Sequence, residues 1–129
     1  MGINISQHQG SVPVTIIQIS GDLGVSNERE FQKQAQEAIE AGAHSFLIDL
    51  SKTDYVSSSG LRAFNIVFDS LRKYVPVEVQ EEMGKGLTKS PNLKLLNPSD
   101  NVLKVLKTAG YDMFLEIHTN LEDAIASFE

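Results

Sequence analysis

The sequence contains no cysteine, which excludes disulfide bonds, cysteine nucleophiles and thiolate-bound metals. Histidine is also scarce, and His8, His44 and His118 lie far apart in the chain. None has a second histidine at the spacing of a metal site, so we expect no metal. A chain without cysteine is compatible with a reducing compartment, and we expect a cytoplasmic protein.

Positive charge is in the minority, because 11 Lys and Arg stand against 17 Asp and Glu, which gives a net charge of −6. An acidic surface repels nucleic-acid phosphates and anionic lipids, so we expect neither a nucleic acid nor a membrane as a partner. Long apolar runs are missing as well, since none approaches the roughly 20 residues that a transmembrane helix needs. The N-terminus has no signal-peptide pattern.

Motifs of several enzyme classes are absent. The chain has no G-x-S-x-G turn, no G-x-x-x-x-G-K-[ST] phosphate loop and no G-x-G-x-x-G dinucleotide motif. Gly84–Thr88 holds a lysine between glycines but lacks the strand and helix that surround a phosphate loop, and we interpret it as a flexible turn. We therefore expect a binding protein with no catalytic residue and no cofactor.

Strand-like and helix-like segments alternate along the chain. Apolar, mostly β-branched runs predict strands at residues 3–8, 14–19, 46–50, 93–96 and 113–118. Apolar residues at helical spacing predict helices that begin near residues 27, 58, 100 and 121. Such alternation is typical of a mostly parallel sheet, to which the first two strands add an antiparallel edge. We expect an α/β fold with about five strands and about four helices, in a single domain covering residues 1–129.

Polar residues and glycines mark the ends of these helices. Asn27, with Glu30 three residues later, predicts a capping box at the first helix, and Gly42 suits the position just after its end. Ser99 and Asn120 are expected to cap the last two helices.

The segment 76–91 is harder to assign, because it mixes two prolines, two glycines and charges of both signs. We interpret it as a partly ordered surface insertion, with a turn of helix at Glu78–Met83. The same segment could supply contacts to a larger assembly or bind a small ligand.

The stretch DLSKTDYVSSSGL at residues 49–61 is the candidate site. We expect a strand to end at Leu50, a loop to cross Thr53–Val56 and a helix to begin at the serines. Ligands of open α/β sheets collect at the carboxyl ends of strands, and a helix N-terminus favours negative charge. The residues alone leave two interpretations open: Ser57 or Ser58 caps the helix, or one of the hydroxyls is phosphorylated.

Three segments together resemble the STAS domains, the family of bacterial anti-sigma factor antagonists. FLIDLSKTDYVSSSGLRAF is similar to the central signature of that family, in which an apolar strand and a small polar pair precede Ser-Gly-Leu. IIQISGDL at residues 16–23 resembles the family's strand and its Gly-acidic-Leu turn. LKLLNPSDNVLKVLKTAG at residues 93–110 is similar to its later strand, proline-containing turn and helix.

This resemblance implies that Ser58 is the phosphoacceptor, with Ser57 and Ser59 as its neighbours. It also implies a partner-binding surface made of Asp22, Gly24, Ser26, Asn27, Ser57, Ser59, Gly60 and Arg62. Two positions that are often Asp in the family are Ser57 and Gly24 here, and the resemblance implies that this removes acidic groups that help to position a kinase or its metal-bound nucleotide.

The function that the resemblance implies is an anti-sigma factor antagonist. It would bind an anti-sigma factor that is also a serine kinase, be released on phosphorylation at Ser58, and be reset by a phosphatase. The alternative is a scaffold or sensor module of a larger signalling assembly that binds a nucleotide or another small ligand. Self-association to a homo-oligomer stays open at this point.

Overall fold

The computed structural model describes residues 2–128 and places six strands in one sheet. The strands are β1 (Gly2–Gln9), β2 (Pro13–Leu23), β3 (Phe46–Asp49), β4 (Thr53–Val56), β5 (Leu93–Leu96) and β6 (Ile117–His118). Their order across the sheet is β1-β2-β3-β5-β6, and β4 pairs with the end of β2. The β1–β2 pair is antiparallel and the other pairs are parallel, which confirms the mixed, mostly parallel sheet.

Five α-helices accompany the sheet in the described chain: α1 (Glu28–Glu40), α2 (Ser58–Leu71), α3 (Val77–Gly84), α4 (Asp100–Thr108) and α5 (Leu121–Ala126). Short 3-10 helices at Arg72–Tyr74 and Tyr111–Met113 follow α2 and α4. Helices α1, α2 and α4 contribute to the larger core on one face of the sheet, and α5 contributes to a smaller core on the other face. Within residues 2–128 no helix has the length and apolar character to cross a bilayer.

Strands β2 and β3 are mostly apolar where they pair with each other, because both faces of the sheet are covered at this point. Ile17 and Ile48 are fully buried in the larger core. Val14 and Leu47 are fully buried in the smaller core, together with Phe128 just after α5. A strand that is buried on both faces has no solvent-facing row of residues, so apolar residues occupy neighbouring positions instead of alternating with polar ones.

Helix α1 ends as its sequence predicts. Gly42 has a φ of 107°, in the left-handed region, and its N–H donates to the carbonyl of Ile39 at 3.0 Å. The Ala43 N–H donates to the carbonyl of Ala38 at 2.9 Å. These two bonds form a Schellman motif, which confirms the role expected for Gly42.

The loop expected at Thr53–Val56 is wrong, because this segment is the strand β4. It lies parallel to the end of β2, with Asp22 opposite Tyr55 and Leu23 opposite Val56. Strand β2 therefore runs on to Leu23, beyond the end at Ile19 that the sequence predicts. The hydroxyl of the buried Thr53 donates to the Ile19 carbonyl at 2.7 Å and fixes the start of β4. A four-residue strand with two exposed residues at its centre gives no periodic pattern, and its pairing with β2 is a tertiary fact.

The strand expected at Met113–His118 is wrong over most of its length. Only Ile117–His118 pair with β5, and Tyr111–Met113 form a 3-10 helix instead. An aromatic side chain of this segment packs against α2: the ring centroids of Phe114 and of Phe68 in α2 are 5.2 Å apart in an edge-to-face arrangement. Its apolar residues serve packing against α2, which the sequence cannot distinguish from strand pairing.

The segment 76–91 contains the helix α3, longer than the turn expected at Glu78–Met83, and this raises the number of α-helices to five. The side-chain amide of Gln80 donates to the carbonyls of Val75 at 2.7 Å and Arg72 at 3.0 Å. These bonds fasten α3 to the chain that leaves α2.

The hydroxyl of Tyr111 joins the 3-10 helix to the first turn of α2, because it donates to the Leu61 carbonyl at 2.8 Å. Burial raises the pKa of Tyr111 above its ordinary value of 10.0. The folded state therefore favours the protonated phenol more than the unfolded state does. The resulting stabilisation is complete below the ordinary pKa and is lost as the pH rises through the folded pKa.

We expect Tyr111→Phe to lower the free energy of unfolding at neutral pH by about 1 kcal/mol, the net worth of one hydrogen bond. The difference from the wild type should shrink as the pH rises above the ordinary pKa. Urea titrations from neutral to alkaline pH measure this, with the half-exposed Tyr55→Phe as the matched control. A difference that stays constant at alkaline pH would contradict the assignment.

Candidate functional site

The serine segment begins α2 directly after β4. Ser57 is the N-cap, with extended backbone angles, and its Oγ accepts a hydrogen bond from the Gly60 N–H at 3.3 Å. The Leu61 N–H donates to the Ser57 carbonyl at 2.9 Å and begins the helical ladder. The capping residue is therefore Ser57 and not Ser58. Ser58, the first residue of α2, is exposed, whereas Ser57 and Ser59 are half-buried.

The loop between β2 and α1 is organised by the buried side chain of Asn27. Its Oδ1 accepts from the Gly24 N–H at 2.9 Å, and its Nδ2 donates to the Asp22 carbonyl at 2.8 Å. The expected capping box with Glu30 is therefore wrong, because the Asn27 side chain points away from the helix and makes no capping bond. A buried amide must satisfy both a donor and an acceptor, and the preceding turn offers both.

The end of β2 and the start of α2 meet at a contact that we call the β2–α2 junction, formed by Leu23, Gly24, Ser57 and Gly60. The Ser57 N–H donates to the Leu23 carbonyl at 3.0 Å. A Cβ on Gly60 would lie 2.6 Å from the same carbonyl oxygen, closer than real Cβ atoms come. A Cβ on Gly24 would lie 2.8 Å from the Ser57 Oγ. Both glycines therefore permit a close approach that a side chain would obstruct.

Exposure divides the residues that the sequence singled out into two groups. Asp22, Ser26, Ser58 and Arg62 are exposed. Asn27 and Gly60 are buried and Gly24 is half-buried, so these three shape the loops. The structure thus brings the residues into one region but leaves only part of the set accessible to a partner.

Two exposed apolar residues in this region were missed by the sequence reasoning. Val25 lies in the loop between β2 and α1 with 80% of its surface exposed, and Tyr55 lies on β4 with 52% exposed. Tyr55 is the register partner of Asp22, which places it beside the loop. The sequence gives no signal for Tyr55, because the neighbouring residues Asp54 and Tyr55 are both exposed, and the alternation of side chains along a strand does not produce that pattern. We call the exposed residues Asp22, Val25, Ser26, Tyr55, Ser58 and Arg62 the serine face.

The first turn of α2 differs in charge from the other α-helices of residues 2–128. Helices α1, α3, α4 and α5 each carry at least one acidic residue in the first turn, and α2 carries none. The helix dipole makes this end partly positive. Arg62 follows Ser58 by four residues, a spacing that puts two side chains on the same side of a helix. The first turn of α2 therefore contains no carboxylate that would repel an anion added at Ser58.

Comparison with known proteins gives a consistent result. A family model described as STAS domain matches residues 3–79, more than half of the chain. No curated protein matches the chain.

Among solved structures, the fold resembles that of an anti-sigma factor antagonist from Mycobacterium paratuberculosis, with a TM-score of 0.71 and 14% identity over 98% of this chain and 93% of that chain. It also resembles the anti-sigma factor antagonist SpoIIAA in its unphosphorylated form, with a TM-score of 0.70 and 19% identity over 95% and 93% of the two chains. The phosphorylated form of the Bacillus SpoIIAA gives a TM-score of 0.64 and 18% identity over 95% and 96%.

The close approach at the β2–α2 junction can be tested by adding a methyl group. We expect Gly60→Ala to lower the free energy of unfolding by about 1–3 kcal/mol, because the Leu23 carbonyl is backbone and must move. Gly84→Ala is the matched control, since nothing lies within 4 Å of its added Cβ at the end of α3. It should be neutral or raise stability by less than about 1 kcal/mol. Equal urea midpoints for both variants would contradict the junction geometry.

Proposed function

The chain belongs to the STAS domain family, and from this premise we propose that it is an anti-sigma factor antagonist switched by phosphorylation of Ser58. In this proposal the unphosphorylated serine face binds an anti-sigma factor that is also a serine kinase. The kinase phosphorylates Ser58 and the complex dissociates, and a phosphatase restores the binding form.

The observation that carries the proposal is the separation of two tasks between adjacent serines. Ser57 uses its oxygen to cap α2, whereas Ser58 is exposed on the first turn. Modification of Ser58 therefore leaves the capping bond in place. The switch can alter a surface without unfolding the helix that presents it.

The physics of release follows from charge. A phosphate adds about −1.5 to −2 charges and three strong acceptors at neutral pH. The first turn of α2 tolerates this in the free protein, because it lacks carboxylates and Arg62 is the nearest cation along the helix. In the complex the same dianion must lose its water, which costs a few kcal/mol unless the partner supplies a cation. A loss of that size lowers affinity by orders of magnitude.

The two departures from the family pattern, Gly24 and Ser57, are neighbours in space. A Cβ at residue 24 would meet the Ser57 Oγ at 2.8 Å, so the small residue and the capping hydroxyl fit each other. The site therefore keeps its fold while lacking carboxylates at these two positions. This supports a phosphorylatable serine in a less acidic setting, which favours a kinase that does not depend on those carboxylates.

Phosphorylation is tested by co-expressing the chain with the anti-sigma factor kinases of its source genome and measuring intact mass. We expect an increment of about 80 Da, one phosphate, that maps to Ser58. Ser58→Ala should lose the increment, whereas the neighbouring variant Ser59→Ala should retain it. Phosphate that persists in Ser58→Ala would remove Ser58 from the proposal.

Partner binding is tested on the two exposed apolar residues. Truncating a central apolar contact of an interface typically costs more than about 1 kcal/mol, so Val25→Ala and Tyr55→Ala should each weaken binding to the anti-sigma factor roughly tenfold. Leu87→Ala is the control, because Leu87 is 71% exposed but lies in the segment 76–91. Calorimetric titration measures the three affinities. Equal weakening by Leu87→Ala, or none by the other two, would place the interface elsewhere.

A further inference from the structure

Strand β1 forms an open edge of the sheet. One side of it pairs with β2 through an uninterrupted register from Gly2 opposite Ser20 to Gln9 opposite Pro13. In the described residues no strand pairs with its other side. Half of its backbone N–H and C=O groups therefore face away from the sheet, in the pattern that accepts another strand.

The edge lacks the features by which proteins usually prevent strand addition. Its eight residues, GINISQHQ, include no lysine, no arginine, no acidic residue and no proline. The register shows no bulge, and residues 4–9 are exposed. At about 3.4 Å per residue the edge is roughly 27 Å long. Within residues 2–128 the opposite edge, β6, is limited to two residues, so β1 is the longer of these two edges.

We propose that β1 is a self-association surface, which pairs antiparallel with β1 of a second copy of this chain across a two-fold axis at Ile5. Within a sheet, registers that keep each face continuous place residues of equal parity opposite each other. The register centred on Ile5 covers residues 2–8 and sets Ile5 against its own copy, with Ile3 opposite Gln7. Ile5 is 39% exposed and lies on the side of the sheet that carries Ile17, so this pairing would cover it.

A second copy fits this edge better than a charged peptide does. The edge carries no charge that could select a basic or acidic segment, and a two-fold axis makes an antiparallel edge complementary to itself. The rest of the chain opposes pairing, because each copy has a net charge of −6. Strand pairing alone buries less surface than a standard stable interface, so we expect a weak dimer that salt strengthens.

This inference goes beyond the proposed switch and does not depend on Ser58, which lies on α2. The variant Ser58→Ala should associate as the wild type does. The two proposals can therefore fail separately.

Sedimentation equilibrium tests the association. From micromolar to millimolar concentration, the mass of the wild type should rise from 14.2 kDa toward twice that value, and added sodium chloride should promote the rise. A mass that stays at 14.2 kDa throughout would overturn the proposal. An association that salt weakens would overturn self-pairing through a neutral edge.

The register is tested by placing charges on the two-fold axis. Ile5→Lys and Ile5→Glu should each be monomeric at concentrations where the wild type associates, because like charges directly opposite each other destabilise a strand pair. An equimolar mixture of the two variants should dimerise again, which a folding defect cannot explain. Ile5→Thr is the uncharged control and should associate like the wild type. If the mixture stays monomeric, or the single variants still dimerise, the axis is not at Ile5.

Discussion

The hydrogen bond from the Ser57 N–H to the Leu23 carbonyl is the contact on which the candidate site depends. It joins the end of β2 to the start of α2, and it can form because Gly60 has no side chain to hold the helix away from the strand. The same junction fixes Ser57 as the capping residue, which leaves Ser58 exposed on the first turn. A displacement here would alter the helix start, the loop and the exposed hydroxyl together.

Strand β2 links the two surfaces for which we propose functions. Its C-terminal end carries the loop of the serine face and pairs with β4, and its residues 13–20 pair with β1 at the open edge. Both faces of its middle are buried, so it is held by the two cores of the protein. A strand fixed in this way provides a rigid support, because its position does not depend on either partner being present.

Charge has a different proposed role at each of these two surfaces. The serine face is proposed to work through a change of charge, since a phosphate on Ser58 adds a dianion at a helix end with no acidic residue in its first turn. The β1 edge is proposed to work without charge, through backbone hydrogen bonds of an uncharged strand. Under these two proposals, association through the neutral edge of an acidic protein is weak and depends on ionic strength, whereas binding at the serine face depends on a kinase.

The sequence by itself determined the elements whose pattern is local and periodic. The apolar runs of β2 and β3, the helical faces of α1 and α2, and the left-handed glycine after α1 follow from side-chain spacing and backbone sterics. Only the tertiary structure decided that Thr53–Val56 is a strand, that Asn27 bonds the preceding turn, and that Val25 and Tyr55 stand exposed beside Ser58's helix. The reason is physical: these features depend on what another part of the chain brings within hydrogen-bonding or packing distance, and a short segment leaves no period in the sequence to record it.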